Sequence, residues 1–273
     1  MDPTVIAVAQ LALTVGELDA NRKTAAEAVR QAAAAGARLV VLPELSDSGY
    51  VFASEQEARG LASPAGDSDT LRQWSALARE HDLVIVGGFC ELGADGRLYN
   101  SAALADASGI RAVYRKAHLW DTEKRVFVPG DAPPPVVGTG LGQVAVMICY
   151  DLEFPEWTRR AALDGADLVA APVNWPAVSP PPGERPTEVI KAQAAAATNG
   201  VFVAVADRCH TERGVSWISG SVILGPDGYP LAGPVLADQP ALLTAPADLS
   251  RARDKRLAGD NDLLGDRRPE LYG

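Results

Sequence analysis

Cys149 closes an apolar run, Gln143-Val144-Ala145-Val146-Met147-Ile148, and is followed at once by Tyr150-Asp151-Leu152-Glu153-Phe154-Pro155-Glu156. A buried strand that ends on a thiol and breaks into a polar, proline-containing turn puts that thiol where α/β enzymes hold reactive groups. Two more strand ends carry complementary chemistry. Glu44 stands in Leu42-Pro43-Glu44-Leu45, and Lys116 in Tyr114-Arg115-Lys116-Ala117-His118. A cysteine nucleophile needs a base to remove its proton and later to activate water. A carboxylate does both when burial raises its pKa. The oxyanion formed at a carbonyl carbon needs a fixed positive donor, which an ammonium supplies. Glutamate, lysine and cysteine are thus a complete set for acyl transfer with no histidine. Each also has a structural reading: free cysteine is among the most buried residue types, and Glu44 with Lys116 is compatible with a strand-end ion pair. Residue type and spacing alone leave both readings open.

The elements that must position these groups follow from hydrophobic periodicity. Strands are expected at residues 4–10, 38–42, 83–89, 143–148, 167–171, 201–206, 221–224 and 240–245. A hairpin is expected from 98–105 and 110–115 around 106–109. Helices are expected at 19–35, 68–81 and from 155–162, with a long alanine-rich helix ending near Asn199-Gly200. Residues 133–135 and 180–183 read as stiff proline loops. Alternating helices and strands with hairpins mixed in imply sheets that are not purely parallel, covered by helices, in the α/β (α+β) class. No repeat, linker or composition break divides residues 1–273, so a single domain is expected. Residues 248–273 are charged, bear glycine and proline, and read as a tail that is frayed or docked on a partner subunit.

Composition narrows the function. The chain has 273 residues, 47% of them hydrophobic, enough for a full core. With 25 basic and 35 acidic residues the net charge is −10, which argues against nucleic acid as a partner. No apolar run is long enough to span a membrane. The start, Met1-Asp2-Pro3-Thr4-Val5, has no signal-peptide pattern, and three cysteines (90, 149 and 209) suit a reducing compartment, so a cytoplasmic protein is expected. Cys209 and His210, with His81 and His118, show no metal-ligand spacing, and no zinc site is expected.

Six ordered segments carry a family resemblance. They are Leu42-Pro43-Glu44; Tyr114-Arg115-Lys116-Ala117-His118-Leu119-Trp120-Asp121; Ile148-Cys149-Tyr150-Asp151-Leu152-Glu153-Phe154-Pro155-Glu156; Pro172-Val173-Asn174-Trp175; Gly220-Ser221-Val222-Ile223 with Pro226-Asp227-Gly228; and Arg267-Arg268-Pro269-Glu270-Leu271-Tyr272. The chain resembles the nitrilase (carbon–nitrogen hydrolase) superfamily over nearly its whole length. The resemblance implies a four-layer αββα sandwich and pairing into a homodimer or higher homo-oligomer, with C-terminal tails crossing between subunits. It implies Cys149 as nucleophile, Glu44 as general base and Lys116 as stabilising cation. Glu123 matches a second glutamate found near the site, orienting substrate or positioning Lys116. The Tyr150 backbone N–H is implied as an oxyanion donor, and Asn174 and Trp175 as substrate-side residues at the next strand end. The path needs no metal or organic cofactor.

Within the superfamily, nitrilases proper follow the cysteine with Trp-Glu, whereas Tyr150-Asp151 follows here. Many ω-amidase relatives carry arginine where this chain has Glu153. The expected substrate is a small, neutral or amine-bearing aliphatic carboxamide. An N-carbamoyl amidohydrolase or an ω-amidase is the alternative, and a non-catalytic binding protein on the same fold the remote one. Arg159, Arg160 and Arg208 are candidates to recognise a substrate carboxylate.

Overall fold

The computed structural model describes residues 3–272. The strands β1 (Thr4–Ala12), β2 (Leu39–Val41), β3 (Val84–Leu92), β4 (Leu98–Asp106) and β5 (Gly109–Arg115) lie side by side in that order. The first three are parallel, and β4 runs antiparallel to both β3 and β5. Ala241–Ala247 pairs antiparallel with β1, and Arg208–Cys209 pairs parallel with its C-terminal end. A second sheet holds β6 (Val136–Thr139), β7 (Gly142–Val146), β8 (Leu168–Pro172) and β9 (Phe202–Ala206), then Val222–Leu224 and Pro230–Ala232. In it β7, β8 and β9 are parallel.

Alternation along the strands sorts their side chains into two cores. Ile6, Val8, Leu39, Val41, Val84 and Val86 point toward the second sheet and join Val144, Val146, Val169 and Val203. Ala7, Ala9, Leu11, Val40, Ile85 and Phe89 point the other way. There they meet α1 (Leu18–Ala34) and, beyond the short α2 (Glu55–Leu61), α3 (Asp69–His81). A sheet buried on both faces explains why these strands are near-continuous apolar runs. The second sheet is covered outside by α4 (Pro155–Leu163) and α5 (Thr187–Asn199), whose Ala161, Ala162, Val189, Ala192 and Ala196 pack on its outer face and extend the same apolar cluster. The order helix, sheet, sheet, helix is the αββα sandwich.

Local signals set the ends of these helices. Ser68 caps α3 by accepting from the Leu71 N–H, and Asp82 closes it in the left-handed conformation. Pro155 occupies the first turn of α4, where its missing N–H costs nothing. Gly200 ends α5 at φ +58°.

Two features depart from the expected layout. Residues 55–61 are helical, where no helix was expected, and Ser54 caps them on the Glu57 N–H. Val136–Thr139 continues past the proline loop as an edge strand paired with β7. The start of the tail also contacts its own chain: Arg253 pairs with Asp167 at 3.0 Å, and the Lys255 ammonium donates to the Asn199 and Gly200 carbonyls at the end of α5. The sequence could not reveal this, because those acceptors are backbone groups left open by a helix end. Among the described residues, no helix is long and apolar enough to cross a membrane.

Candidate active site

Glu44 sits just past β2, where Pro43 stops the strand and Leu45, at φ +46°, turns the chain. The turn lies on Gly88: a Cβ there would stand 2.4 Å from the Leu45 nitrogen, so only glycine admits this approach. Lys116 directly follows β5. Its N–H donates to the Asn100 carbonyl, and its carbonyl accepts from Gly130, another glycine on which a Cβ would strike the Arg115 carbonyl, at 2.3 Å. Cys149 begins the one-turn helix Cys149–Glu153 beyond β7 and has φ +47°. A non-glycine residue held there is strained, a feature that concentrates at functional sites.

Asp151 ties two of these strand ends together. One carboxylate oxygen accepts the Ile148 N–H (3.1 Å) and the Tyr114 hydroxyl (2.8 Å). The other accepts the His118 N–H (3.1 Å) and lies 2.7 Å from His118 Nδ1. The His118 ring stacks on Phe154 at 3.8 Å. The cysteine elbow and the lysine segment are therefore held by one buried carboxylate and one aromatic stack.

The chemistry-bearing side chains meet between the sheets. Glu44 is 0% exposed, Lys116 1%, Glu123 4% and Cys149 5%. The Lys116 ammonium donates to Glu44 Oε1 and to Glu123 Oε1, each at 2.7 Å. Asn100 donates to the same Glu44 oxygen at 2.7 Å. Glu44 Oε2 is buried and has no hydrogen-bond partner among the described residues. Glu123 also accepts the Tyr50 hydroxyl (2.6 Å) and, through Oε2, the Trp120 N–H (3.0 Å). Cys149 Sγ lies 3.8 Å from the Asn174 carbonyl, and the Asn174 amide donates to the Glu44 carbonyl at 3.0 Å.

Two carboxylates share one ammonium in a site closed to water. Burial pushes Glu44 up to about 7, with Lys116 pulling it down and Glu123 adding to the rise. Burial works against the charge on Lys116, but Glu123 and Glu44 outweigh it and hold its pKa well above the ordinary value. Burial and then Glu44 keep the Cys149 pKa well up despite Lys116, so the resting thiol is protonated. A protonated thiol beside a carboxylate with one free, buried oxygen is poised for proton transfer.

A cavity of about 610 Å³ adjoins this cluster on its Tyr50–Glu123 side, and Glu44, Lys116 and Cys149 are not among the residues that line it. Tyr50 and Glu123 belong to both, and Phe52, Trp120, Val126, Phe127, Pro176 and Val215 make the wall largely apolar.

The chain matches the Carbon-nitrogen hydrolase family over residues 5–257. It belongs to that family, within the nitrilase superfamily. It is 36% identical over 268 residues to a nitrilase from Pyrococcus abyssi, covering 98% of each chain. It is 33% identical over 286 residues to the deaminated glutathione amidase of Rattus norvegicus, covering 98% of this chain and 84% of that one. An amidase from Nesterenkonia sp. AN1, solved as a double mutant in complex with acrylamide, is similar with TM-score 0.82 and 32% identity, covering 99% of this chain and 96% of that one. This carbon–nitrogen hydrolase is therefore an enzyme.

In the hydrolase, Glu44, Lys116, Glu123, Cys149 and Asn174 converge as just described. Tyr150 lies in the first turn of its short helix, where N–H groups lack helical acceptors, and its ring sits edge-on to Trp120 and Phe154. The Trp175 ring is buried in the core near Gly220 and is not part of the cavity wall, which takes Pro176 instead. Arg208 is not free to bind a substrate carboxylate, because it is fully buried and paired with Glu212. Arg160 pairs with Asp164 on the surface, and Arg159 donates to the Thr198 carbonyl. Glu153 pairs with Lys191 of α5. Glu123 is buried, not a solvated carboxylate. Sequence reasoning missed Tyr50, Asn100 and Asp151 as part of the site; only Asp151 sat inside a recognised segment.

Proposed function

We propose that this enzyme hydrolyses a small aliphatic carboxamide to the carboxylic acid and ammonia through a thioester on Cys149. The observation that carries the reading is the free, buried Oε2 of Glu44 beside a protonated thiol, with Oε1 held by Lys116 and Asn100. Glu44 takes the thiol proton as the sulfur attacks the amide carbon. The carbonyl oxygen becomes an oxyanion. Two of the three ammonium protons of Lys116 are committed to Glu44 and Glu123, which leaves the third for that oxygen, together with the Tyr150 N–H. Glu44 returns the proton to the nitrogen, the C–N bond breaks, and ammonia leaves. Glu44 then takes a proton from water, whose hydroxide attacks the thioester. The second oxyanion collapses, the C–S bond breaks, and Glu44 reprotonates the sulfur. Amide and water have become acid and ammonia, with no redox change and no cofactor.

The apolar wall supports an aliphatic acyl group, and the similarity to an amidase solved with acrylamide supports an amide over a nitrile. Glu153, paired to Lys191 where a substrate-binding arginine would have stood, supports a substrate without a carboxylate at that point. The same reading takes the chain as one catalytic domain working in the cytoplasm as a homo-oligomer. Leu163 and Ile190, exposed on the outer helices, support association. The test is ammonia release from aliphatic amides, ω-amides of dicarboxylates, N-carbamoyl compounds and nitriles. Short aliphatic amides should be turned over fastest. Carbon dioxide released with the ammonia would instead identify a carbamoyl hydrolase.

A further inference from the structure

Outside the catalytic cluster lies a second buried ion pair that reaches it through a single residue. Arg208 is 0% exposed and donates to Glu212 through Nη1 (3.2 Å) and Nη2 (2.9 Å), and from Nη2 to the Leu13 carbonyl at 2.7 Å. Its guanidinium lies 5.2 Å from the Trp217 ring, on which the Tyr50 ring rests edge-on at 5.4 Å. Glu212 Oε2 also accepts the N–H groups of two successive residues, Tyr50 (2.8 Å) and Val51 (2.7 Å). The Tyr50 hydroxyl donates to Glu123 Oε1, the atom that Lys116 also holds. An ion pair this deep is not needed for stability alone, since apolar residues of similar volume often do as well. A carboxylate, however, accepts a guanidinium and two adjacent backbone N–H groups at once.

We propose that Glu212, backed by Arg208, is a positioning residue for amide hydrolysis: it fixes the Tyr50 backbone so that the tyrosine hydroxyl restrains Glu123. Glu123 Oε1 then divides its attraction between Tyr50 and Lys116. Without the hydroxyl, that oxygen binds Lys116 alone and draws the ammonium away from Cys149 and the developing oxyanion. The inference rests on the reading of Lys116 as the oxyanion donor.

The test uses the full chain and the variants Tyr50→Phe, Glu212→Gln and both together. Arg208→Met combined with Glu212→Gln repeats the test without an unpaired buried charge, in case the single variant does not fold. Alkylation of Cys149 by iodoacetamide, followed on its own peptide across pH, reads the charge at the thiol without any substrate. Each variant should slow alkylation about tenfold, the worth of one hydrogen bond to a charged group, and move its half-maximal pH upward. On a short aliphatic amide kcat should fall with KM little changed, and the double variant should fall no further than the slower single one, because both remove the same restraint. Unchanged alkylation with only a lower thermal midpoint would overturn the proposal, and so would losses that multiply in the double variant. A wild-type protein that alkylates at Cys149 but releases ammonia from no amide would end the amidase reading, while the alkylation profiles would still decide the positioning role.

Discussion

Two buried charge clusters meet at Tyr50, and they solve the cost of burial differently. Arg208 and Glu212 are matched one to one, and both Glu212 oxygens are taken, by the guanidinium and by two backbone N–H groups. Glu44, Lys116 and Glu123 set two carboxylates against one ammonium, with Oε2 of Glu44 unpartnered and a thiol close by. The balanced cluster leaves only Arg208 Nε without a partner, a donor that cannot take up a proton. The unbalanced one holds a carboxylate whose pKa has risen to about 7, the range in which a base both accepts and returns a proton. A spare proton acceptor, in a cluster with one carboxylate in excess, separates the proposed catalytic cluster from the balanced one.

That contrast breaks most sharply at the nucleophile. Cys149→Ala should lower ammonia release by several orders of magnitude while the thermal midpoint changes little, because the substitution removes a single buried atom. Ammonia assay and thermal denaturation together check this. Glu212→Leu should act chiefly on the fold, destabilising the protein by about 3–5 kcal/mol by leaving Arg208 buried and unpaired, as urea unfolding would measure, and lower kcat only about tenfold. Asn100→Leu takes one donor from Glu44 and should cost roughly tenfold in kcat. That donor lowers the Glu44 pKa, so its loss should move the acidic limb of the pH–rate profile upward from its wild-type position near 7. The smallest expected effect is that of a chelator, which should leave the rate unchanged; loss restored by added zinc would show a metal in the reaction.

The trio that converges was legible because Glu44 and Cys149 end apolar runs and Lys116 follows a hairpin strand, and strand ends are visible in a sequence. The fold class was legible for the same reason: two-sided burial writes strands as unbroken apolar stretches. What supports the trio was not. Asn100 reaches Glu44 across 56 positions and Tyr50 reaches Glu123 across 73, and neither residue stands in a pattern of its own. Arg208 read as a free cation because nothing in a sequence distinguishes a buried arginine from an exposed one. The short helix Glu55–Leu61 did carry a signal, the Ser54 cap with Glu57 three residues on, too brief to show hydrophobic periodicity.

The central claim is that the free oxygen of Glu44 is the base. Glu44→Gln tests it most directly, since the side-chain carbonyl still accepts from Lys116 and Asn100 while an NH₂ group replaces the one free acceptor. Ammonia release from a short aliphatic amide, measured for wild type and variant between pH 5 and 9, should fall by about 10²–10⁴-fold in the variant and lose the acidic limb. A variant that keeps more than about a tenth of the wild-type rate, or the same limb near pH 7, would contradict the account.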